Sequence, residues 1–145
     1  MNIAIGSDHA GLQHKNALVA MLQAEGHNVI DVGTHDNTSV DYPDFGVAAA
    51  PLVANGTADR GVLVCGSGIG ISIAANKVQG IRAANVTSVE MAQLARQHND
   101  ANMVAVGERI TSLETAMDIV RAFLATDFEG GRHQRRVDKI AQAEQ

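Results

Sequence analysis

Short apolar segments rich in β-branched residues alternate along this chain with longer segments of helical periodicity. Apolar residues three and four positions apart mark the helical segments, as in Leu18, Met21 and Leu22. This alternation predicts βαβ units with right-handed crossovers, and therefore a parallel sheet covered by helices on both faces. We expect a three-layer α/β/α Rossmann-like domain with a five-stranded parallel sheet and a C-terminal helical tail. The predicted strands are residues 3–6, 28–32, 61–64, 81–85 and 103–106.

Sequence signals at the helix ends refine this prediction. Thr87-Ser-Val-Glu90 and Thr111-Ser-Leu-Glu114 carry a capping-box pattern, in which a hydroxyl and a carboxylate bond reciprocally to free backbone amides. Near the C-terminus, the segment Glu129-Gly-Gly-Arg-His-Gln-Arg-Arg136 has two glycines that we expect to end a helix and a basic cluster that opens a short final one. We see no linker or repeat, so residues 1–145 are predicted to form one domain.

The composition argues against several functional classes. A net charge of −5 and an aromatic content of 3% disfavour a nucleic-acid-binding surface. No run of about 18 apolar residues is present, and the N-terminal residues do not resemble a signal peptide. The single cysteine cannot form an internal disulfide bond and fits a reducing compartment. We therefore expect a soluble cytoplasmic protein without a membrane or nucleic-acid partner.

The predicted topology places a ligand site at the carboxyl ends of two strands. In doubly wound sheets, ligands bind where the strand order reverses. With the common order 2-1-3-4-5, the reversal lies between strands 1 and 3. The loops that follow those strands are Ser7-Asp8-His9-Ala10-Gly11 and Cys65-Gly66-Ser67-Gly68-Ile69-Gly70. Titratable side chains and a glycine-rich turn should therefore face one crevice.

The glycine-rich turn places the only cysteine beside a group of backbone amides at a helix N-terminus. That environment favours the thiolate form of Cys65, although cysteines at the ends of buried strands are often inert. A thiolate base and amides that hold a negative oxygen are the equipment for enolisation next to a carbonyl. The turn does not fit a dinucleotide site, because its spacing is GxGxG, or a Walker A loop, because Gly-Lys-Ser/Thr is missing. A cysteine phosphatase would need an arginine where Ile71 stands.

Other polar residues offer acid–base and anion-binding groups, each with an ordinary structural alternative. His98 follows Met91, Leu94 and Ala95 on what we take as the inward stripe of a helix and immediately precedes strand 5. We therefore expect His98 near the same sheet edge as Cys65, as a general acid or base, although it could simply cap the helix dipole.

Basic residues near the C-terminus point to an anion. Arg132 and Arg136 are four apart and suit a phosphate clamp if they are not merely solvated. Arg109, just after strand 5, could join them if the tail folds back over a subunit's crevice. A metal site is not predicted, because the six histidines show no HxxxH or HExxH spacing and there is one thiol.

Motifs along nearly the whole chain resemble those of the type B ribose-5-phosphate isomerase family, which also includes allose-6-phosphate and galactose-6-phosphate isomerases. Each motif alone is weak, and their order makes the resemblance specific. The motifs are GSDHAG at 6–11, DYPDF at 41–45, CGSGIGISIAANK at 65–77, GIRAA at 80–84, RQHNDANM at 96–103 and EGGRHQRRV at 129–137.

The resemblance implies residue roles and an oligomeric state. Cys65 would move a proton between carbons 1 and 2 of the open-chain sugar, while His98 would open the furanose ring with help from Asp8. Ser67 and the amides of the turn would hold the enediolate oxygens. Family members are homodimers or tetramers with sites shared between subunits, so residues 129–145 are expected on a partner. The implied substrate-binding residues are His9, Tyr42, Gly66, Gly68, Ile69, Gly70, Asn99, Arg109, Arg132 and Arg136.

The resemblance implies no metal or organic cofactor and leaves the sugar open. Ser67 stands where many relatives have threonine, and Ile71 stands where a cysteine-free branch has glutamate. The chain therefore resembles the cysteine branch. Interconversion of D-ribose 5-phosphate and D-ribulose 5-phosphate is the leading expectation. A six-carbon sugar phosphate is the alternative, and a non-catalytic nucleotide- or flavin-binding module is a distant one.

Overall fold

Five parallel strands and six helices alternate in the computed structural model, which describes residues 1–144. The strands are β1 (Asn2–Ser7), β2 (Asn28–Asp31), β3 (Arg60–Cys65), β4 (Ala83–Asn85) and β5 (Met103–Gly107). The helices are α1 (Leu12–Ala24), α2 (Tyr42–Ala54), α3 (Ile69–Ala75), α4 (Val89–Asn99), α5 (Leu113–Ala125) and α6 (Arg132–Gln142). The predicted three-layer fold with a helical tail is confirmed.

The sheet has the order β2-β1-β3-β5-β4. The predicted reversal between β1 and β3 is correct, but the order 2-1-3-4-5 is wrong at the other edge, where β5 lies between β3 and β4. The burial explains this difference. All five residues of β5 are buried, whereas β4 is a three-residue strand that is only half-buried and suits an edge.

Each face of the sheet has its own apolar core. One core lies between the sheet and helices α1, α4 and α5, with Leu18, Ile119 and Phe123 among its fully buried residues. The other lies beneath α2 and α3 and includes Ala49, Ile71 and, at its edge, Cys65. Among residues 1–144, no helix combines the length and apolar character needed to cross a bilayer.

The helix caps lie one residue later than the capping-box pattern predicts. Ser88, not Thr87, caps α4 and accepts a hydrogen bond from the Met91 N–H at 3.1 Å. Ser112, not Thr111, caps α5 and accepts from the Thr115 N–H at 3.2 Å. The glutamates that follow stand in the first helical turn, where they favour the helix dipole, and do not close a box.

The two glycines of the C-terminal segment also act differently from the prediction. Helix α5 already ends at Ala125, so they do not terminate it. Gly130 and Gly131 have φ angles of 68° and 56° and form the turn that leads into α6. Helix α6 packs against α4 of the same chain.

Candidate active site

The thiol of Cys65 lies at the carboxyl end of β3 and meets the turn that follows. Its Sγ accepts a hydrogen bond from the Gly68 N–H at 3.1 Å. Cys65 is only 4% exposed, but it lines the cleft above the sheet edge. A backbone N–H donor therefore lies directly beside the sulfur at the sheet edge.

The turn leaves several backbone amides free to bind an anion. The Ile69 N–H donates to Ser67 Oγ at 3.2 Å, and the Gly68 N–H is used by sulfur. Within residues 1–144, the amides of Gly66, Ser67 and Gly70 have no hydrogen-bond acceptor. Such a group of amides beside a thiol matches the arrangement expected from the sequence.

The shape of the turn depends on glycine at position 68. Its φ of +80° lies in the left-handed region, and it caps α3. A Cβ at this position would collide with Asn85 Oδ1 and would lie 2.9 Å from the Val106 carbonyl carbon. Asn85 Oδ1 is buried and makes no hydrogen bond with any described residue. The turn is therefore pressed tightly against the ends of β4 and β5.

The loop after β1 brings a carboxylate and an imidazole to the same edge. Asp8 Oδ1 accepts from the Gly11 N–H at 3.1 Å, and this bond caps the short 3₁₀ turn at His9–Gly11. His9 Nδ1 accepts from the Val40 N–H at 3.1 Å, which leaves Nε2 as the donor in the neutral ring. Both residues line the cleft.

The loop after β5 supplies a cation. The Arg109 N–H donates to the Gly66 carbonyl at 3.0 Å, and a Cβ on Gly66 would lie 3.3 Å from Arg109 Nη1. On the opposite wall, the Tyr42 ring packs so closely on Gly70 that a Cβ there would collide with it. The cleft has a volume of about 590 Å³ and is lined by Asp8, His9, Ala10, Tyr42, Cys65, Gly66, Ser67, Ile69, Gly70, Ile73, Arg109 and Ile110.

His98 does not lie at this edge within one chain, so that expectation is wrong. Helix α4 runs antiparallel to the strands, and its end therefore meets the start of β5. Met103, the first residue of β5, pairs with Gly61, which is four residues or roughly 13 Å before Cys65 along β3. The predicted inward stripe is correct only at Ala95, because Met91 and Leu94 are exposed, and Ala92 and Arg96 are the other buried residues of this helix.

The remaining predicted residues accompany His98 at the opposite edge. Asn99 lines a different cavity of about 600 Å³ beside β4 and α6. Arg132 and Arg136 lie on α6, are exposed, and form no ion pair with a described residue. One chain thus divides the predicted site residues between two edges of the sheet.

Two apolar residues of the cleft rim were not predicted. Ile110 is 64% exposed and Ile73 is 56% exposed. A signal for Ile73 was present in the sequence, because α3 carries Ile69 and Ile73 four apart in addition to its buried residue Ile71. Ile69 and Ile73 thus form a second apolar stripe on this short helix, and both are exposed in the single chain.

Comparisons with known proteins agree with these motifs and with the fold. The sequence profile described as Ribose/Galactose Isomerase matches residues 3–140. Ribose-5-phosphate isomerase B of Escherichia coli (strain K12) is 50% identical over 99% of this chain and 96% of its own length.

Solved structures are also similar. The structure of Clostridium thermocellum ribose-5-phosphate isomerase B is 54% identical, with a TM-score of 0.98 over 99% of this chain and 97% of that chain. The structure of ribose-5-phosphate isomerase B from Mycoplasma genitalium with bound ribulose-5-phosphate is 44% identical, with a TM-score of 0.95 over 99% of this chain and 95% of that chain. The thiol beside free amides agrees with these similarities. Because the family profile matches residues 3–140, the chain belongs to the ribose/galactose isomerase family.

Proposed function

We propose that this protein interconverts D-ribose 5-phosphate and D-ribulose 5-phosphate. The observation that carries the proposal is the 3.1 Å hydrogen bond from the Gly68 N–H to Cys65 Sγ, beside three free amides in one cleft. Relatives of similar length named ribose-5-phosphate isomerase B support the choice of substrate. The relative from Mycoplasma genitalium was solved with bound ribulose-5-phosphate, the ketose of this pair.

The proposed chemistry is a proton transfer by one base. The Cys65 thiolate removes a proton from one of the two sugar carbons and returns it to the other. The negative charge that develops on the enediolate oxygens is stabilised by the free amides of the turn and by the Ser67 hydroxyl. Because the amides are held in place before the substrate arrives, little reorganisation is needed in the transition state.

The phosphate and the sugar ring need groups from both sheet edges. His9 and Arg109 lie in the cleft and would bind the phosphate on the near side. Asp8 lies there as well, and its Oδ2 takes no hydrogen bond from residues 1–144, so it can assist at the sugar oxygens. The groups proposed to open the ring and to complete the phosphate grip lie at the far edge, namely His98, Asn99, Arg132 and Arg136.

We propose that the far-edge residues complete the cleft of a second copy of the chain, in a homodimer or a tetramer. In an isologous pair, each copy presents its Cys65 edge to the His98 edge of the other, which makes two complete sites. The exposed rim of Ile69, Ile73 and Ile110 supports this arrangement, because a partner would remove these side chains from water. The partner packing predicted for residues 129–145 belongs to the same proposal, although residue 145 lies outside the described residues.

The thiol is tested by substituting it alone. Cys65→Ala should lower kcat for ribose 5-phosphate by at least about a thousandfold, since the substitution removes the proposed base. Substrate binding, measured by calorimetry, should change little because the amides and the phosphate grip remain. Ser72→Ala, a neighbour in α3 that lies outside the cleft lining, serves as the control for small substitutions near the turn. Substantial turnover by a well-folded Cys65→Ala protein contradicts the role of the thiol.

A six-carbon sugar phosphate remains the second candidate, because the matching family profile includes galactose as well as ribose isomerases. Comparing kcat/KM for ribose 5-phosphate with that for allose 6-phosphate and galactose 6-phosphate decides between them. A clear preference for a hexose phosphate overturns the choice of ribose. We also propose a cytoplasmic location, which fits the single unpaired cysteine.

A further inference from the structure

Three potential metal ligands converge at the far sheet edge, although they are separated in the sequence. His98 lies in the last turn of α4, Glu129 lies in the loop before α6, and His133 lies in the first turn of α6. Among the described residues, these three offer ligand atoms that all lie within 4.8 Å of one another. Spacing alone could not show this site, because only Glu129 and His133 are near in sequence.

The distances are close to those of a metal site. Glu129 Oε1 lies 3.5 Å from His133 Nε2 and 3.9 Å from His98 Nε2. The two imidazole rings are stacked with their centroids 4.3 Å apart and an angle of 12° between their planes. Zinc–nitrogen bonds of about 2.0–2.1 Å in tetrahedral geometry place ligand atoms about 3.3 Å apart. Both Glu129 Oε1 distances exceed this value by less than about 1 Å. Because the two ring planes are nearly parallel, one imidazole must also rotate before both Nε2 lone pairs point at the same ion.

Backbone hydrogen bonds hold this arrangement together. The Glu129 N–H donates to the Gln97 carbonyl at 3.1 Å, and the His133 N–H donates to the Gly130 carbonyl at 3.1 Å. The His133 side chain is only 10% exposed, while His98 and Glu129 are about half-exposed. The loop is thus fastened to α4, and the cluster keeps an open side toward solvent.

We propose that His98, Glu129 and His133 bind a divalent transition-metal ion such as Zn²⁺. Two imidazole nitrogens and one carboxylate oxygen form a ligand set that zinc uses in sites with open positions. Imidazole ligands favour zinc, copper and nickel over magnesium and calcium, which prefer oxygen. Water would complete the coordination on the exposed side.

The charges around the site set its strength. Burial lowers the pKa of His133, as do the nearby His98, Arg132 and Arg136, while Glu129 acts to raise it. The two arginines also repel a cation, so we expect weaker binding than in a closed structural zinc site.

Metal binding has a consequence for activity that rests on the proposed function. If His98 opens the sugar ring in a partner's cleft, a metal ion on its Nε2 occupies the lone pair that this step needs. Zinc should then inhibit the isomerisation of ribose 5-phosphate in competition with substrate. The same site would link catalytic activity to the concentration of free transition metal.

The experiment measures binding separately from activity. Chelator-treated protein is titrated with Co²⁺ and followed by absorption in the visible region, and with Zn²⁺ by calorimetry. We expect one ion per chain, and at least a tenfold loss of affinity in Glu129→Gln and His133→Gln. Glu129→Gln changes an exposed side chain and guards against misfolding in the buried His133→Gln variant. His35→Gln, an exposed histidine outside the cluster, is the matched control and should bind normally.

The thiol is the competing ligand, so the titration is repeated in Cys65→Ala protein. Binding that persists there and is lost in Glu129→Gln supports the site. Binding that is lost in Cys65→Ala, that survives in Glu129→Gln, or that is absent from the wild-type protein overturns it. Zinc inhibition that disappears in Glu129→Gln supports the consequence for activity. Binding without inhibition keeps the metal site and contradicts the proposed role of His98 in ring opening.

Discussion

Residue 68 shows how one backbone conformation positions the chemistry of this molecule. The left-handed φ of Gly68 turns its N–H toward Cys65 Sγ and also presses the turn against β4 and β5. A side chain at position 68 would require a strained left-handed backbone conformation and would overlap atoms of Asn85 and Val106. The thiol contact therefore depends on the absence of a Cβ at this position.

Gly68→Ala should reduce both stability and activity. Gly56 provides the matched control, because its φ of +84° is similar but a Cβ there meets no atom within 4 Å. Gly56→Ala should cost about 1 kcal/mol from the left-handed conformation alone. Gly68→Ala should cost at least about 2 kcal/mol more, since it also displaces Asn85 or β5. Denaturant unfolding measures the stabilities, and equal losses for the two variants would contradict tight packing around Gly68.

At the scale of elements, the helix starts and the strand order depend on burial and hydrogen bonding that local patterns report only in part. Thr-Ser-x-Glu is compatible with two capping registers, because both Thr and Ser are good caps. In this structure the serine caps in both places, and Thr111 instead lies buried with its carbonyl accepting a hydrogen bond from His14 Nε2 at 2.8 Å. The contact between Thr111 and His14 is compatible with Ser112, and not Thr111, as the cap of α5.

The cap register of α4 is tested by two neighbouring substitutions. Ser88→Ala should lower the free energy of unfolding by about 1 kcal/mol, because it removes the acceptor for the Met91 N–H. Thr87→Ala should cost only a few tenths of that amount, since Thr87 caps nothing. Thermal and urea unfolding of both variants give the comparison. A larger loss in Thr87→Ala would restore the register that the sequence pattern predicts.

At the scale of the whole molecule, our proposal that a second copy of the chain completes the site rests on the division of the proposed site residues between two sheet edges. No rearrangement within one chain is needed if each copy lends its far edge to the other. If each site takes Cys65 from one copy and His98 from the other, a mixed dimer of two inactive variants can keep one intact site. The proposal therefore predicts how much activity a mixture of the two variants regains.

Mixing Cys65→Ala chains with His98→Asn chains should restore activity. In each mixed pair, one site has both substitutions and the other has neither. With equal amounts and random pairing, about a quarter of the wild-type activity should return after unfolding and refolding the mixture. Each variant refolded alone is the control. If the mixture stays as inactive as its components, Cys65 and His98 act from the same chain.

The local sequence determined the elements and the Cys65 turn. Alternating periodicity predicted all five strands to within two residues, because apolar strands and amphipathic helices differ in their repeat. The glycines and the cysteine predicted a thiol among backbone amides, since that contact joins residues only three apart. Resemblance to a known family added Asn99 and specific roles for His98, Arg132 and Arg136, which the local sequence had already singled out.

Only the tertiary structure decided the remaining relations. Three such relations join residues that are distant in the chain. They are the position of β5 between β3 and β4, the location of His98 at the edge opposite Cys65, and the contact of His98 with Glu129 and His133. Local periodicity records which face of an element is buried, but not which neighbour buries it. Tertiary packing of the whole sheet with its helices decides which strands lie in the interior and which side chains fill each space.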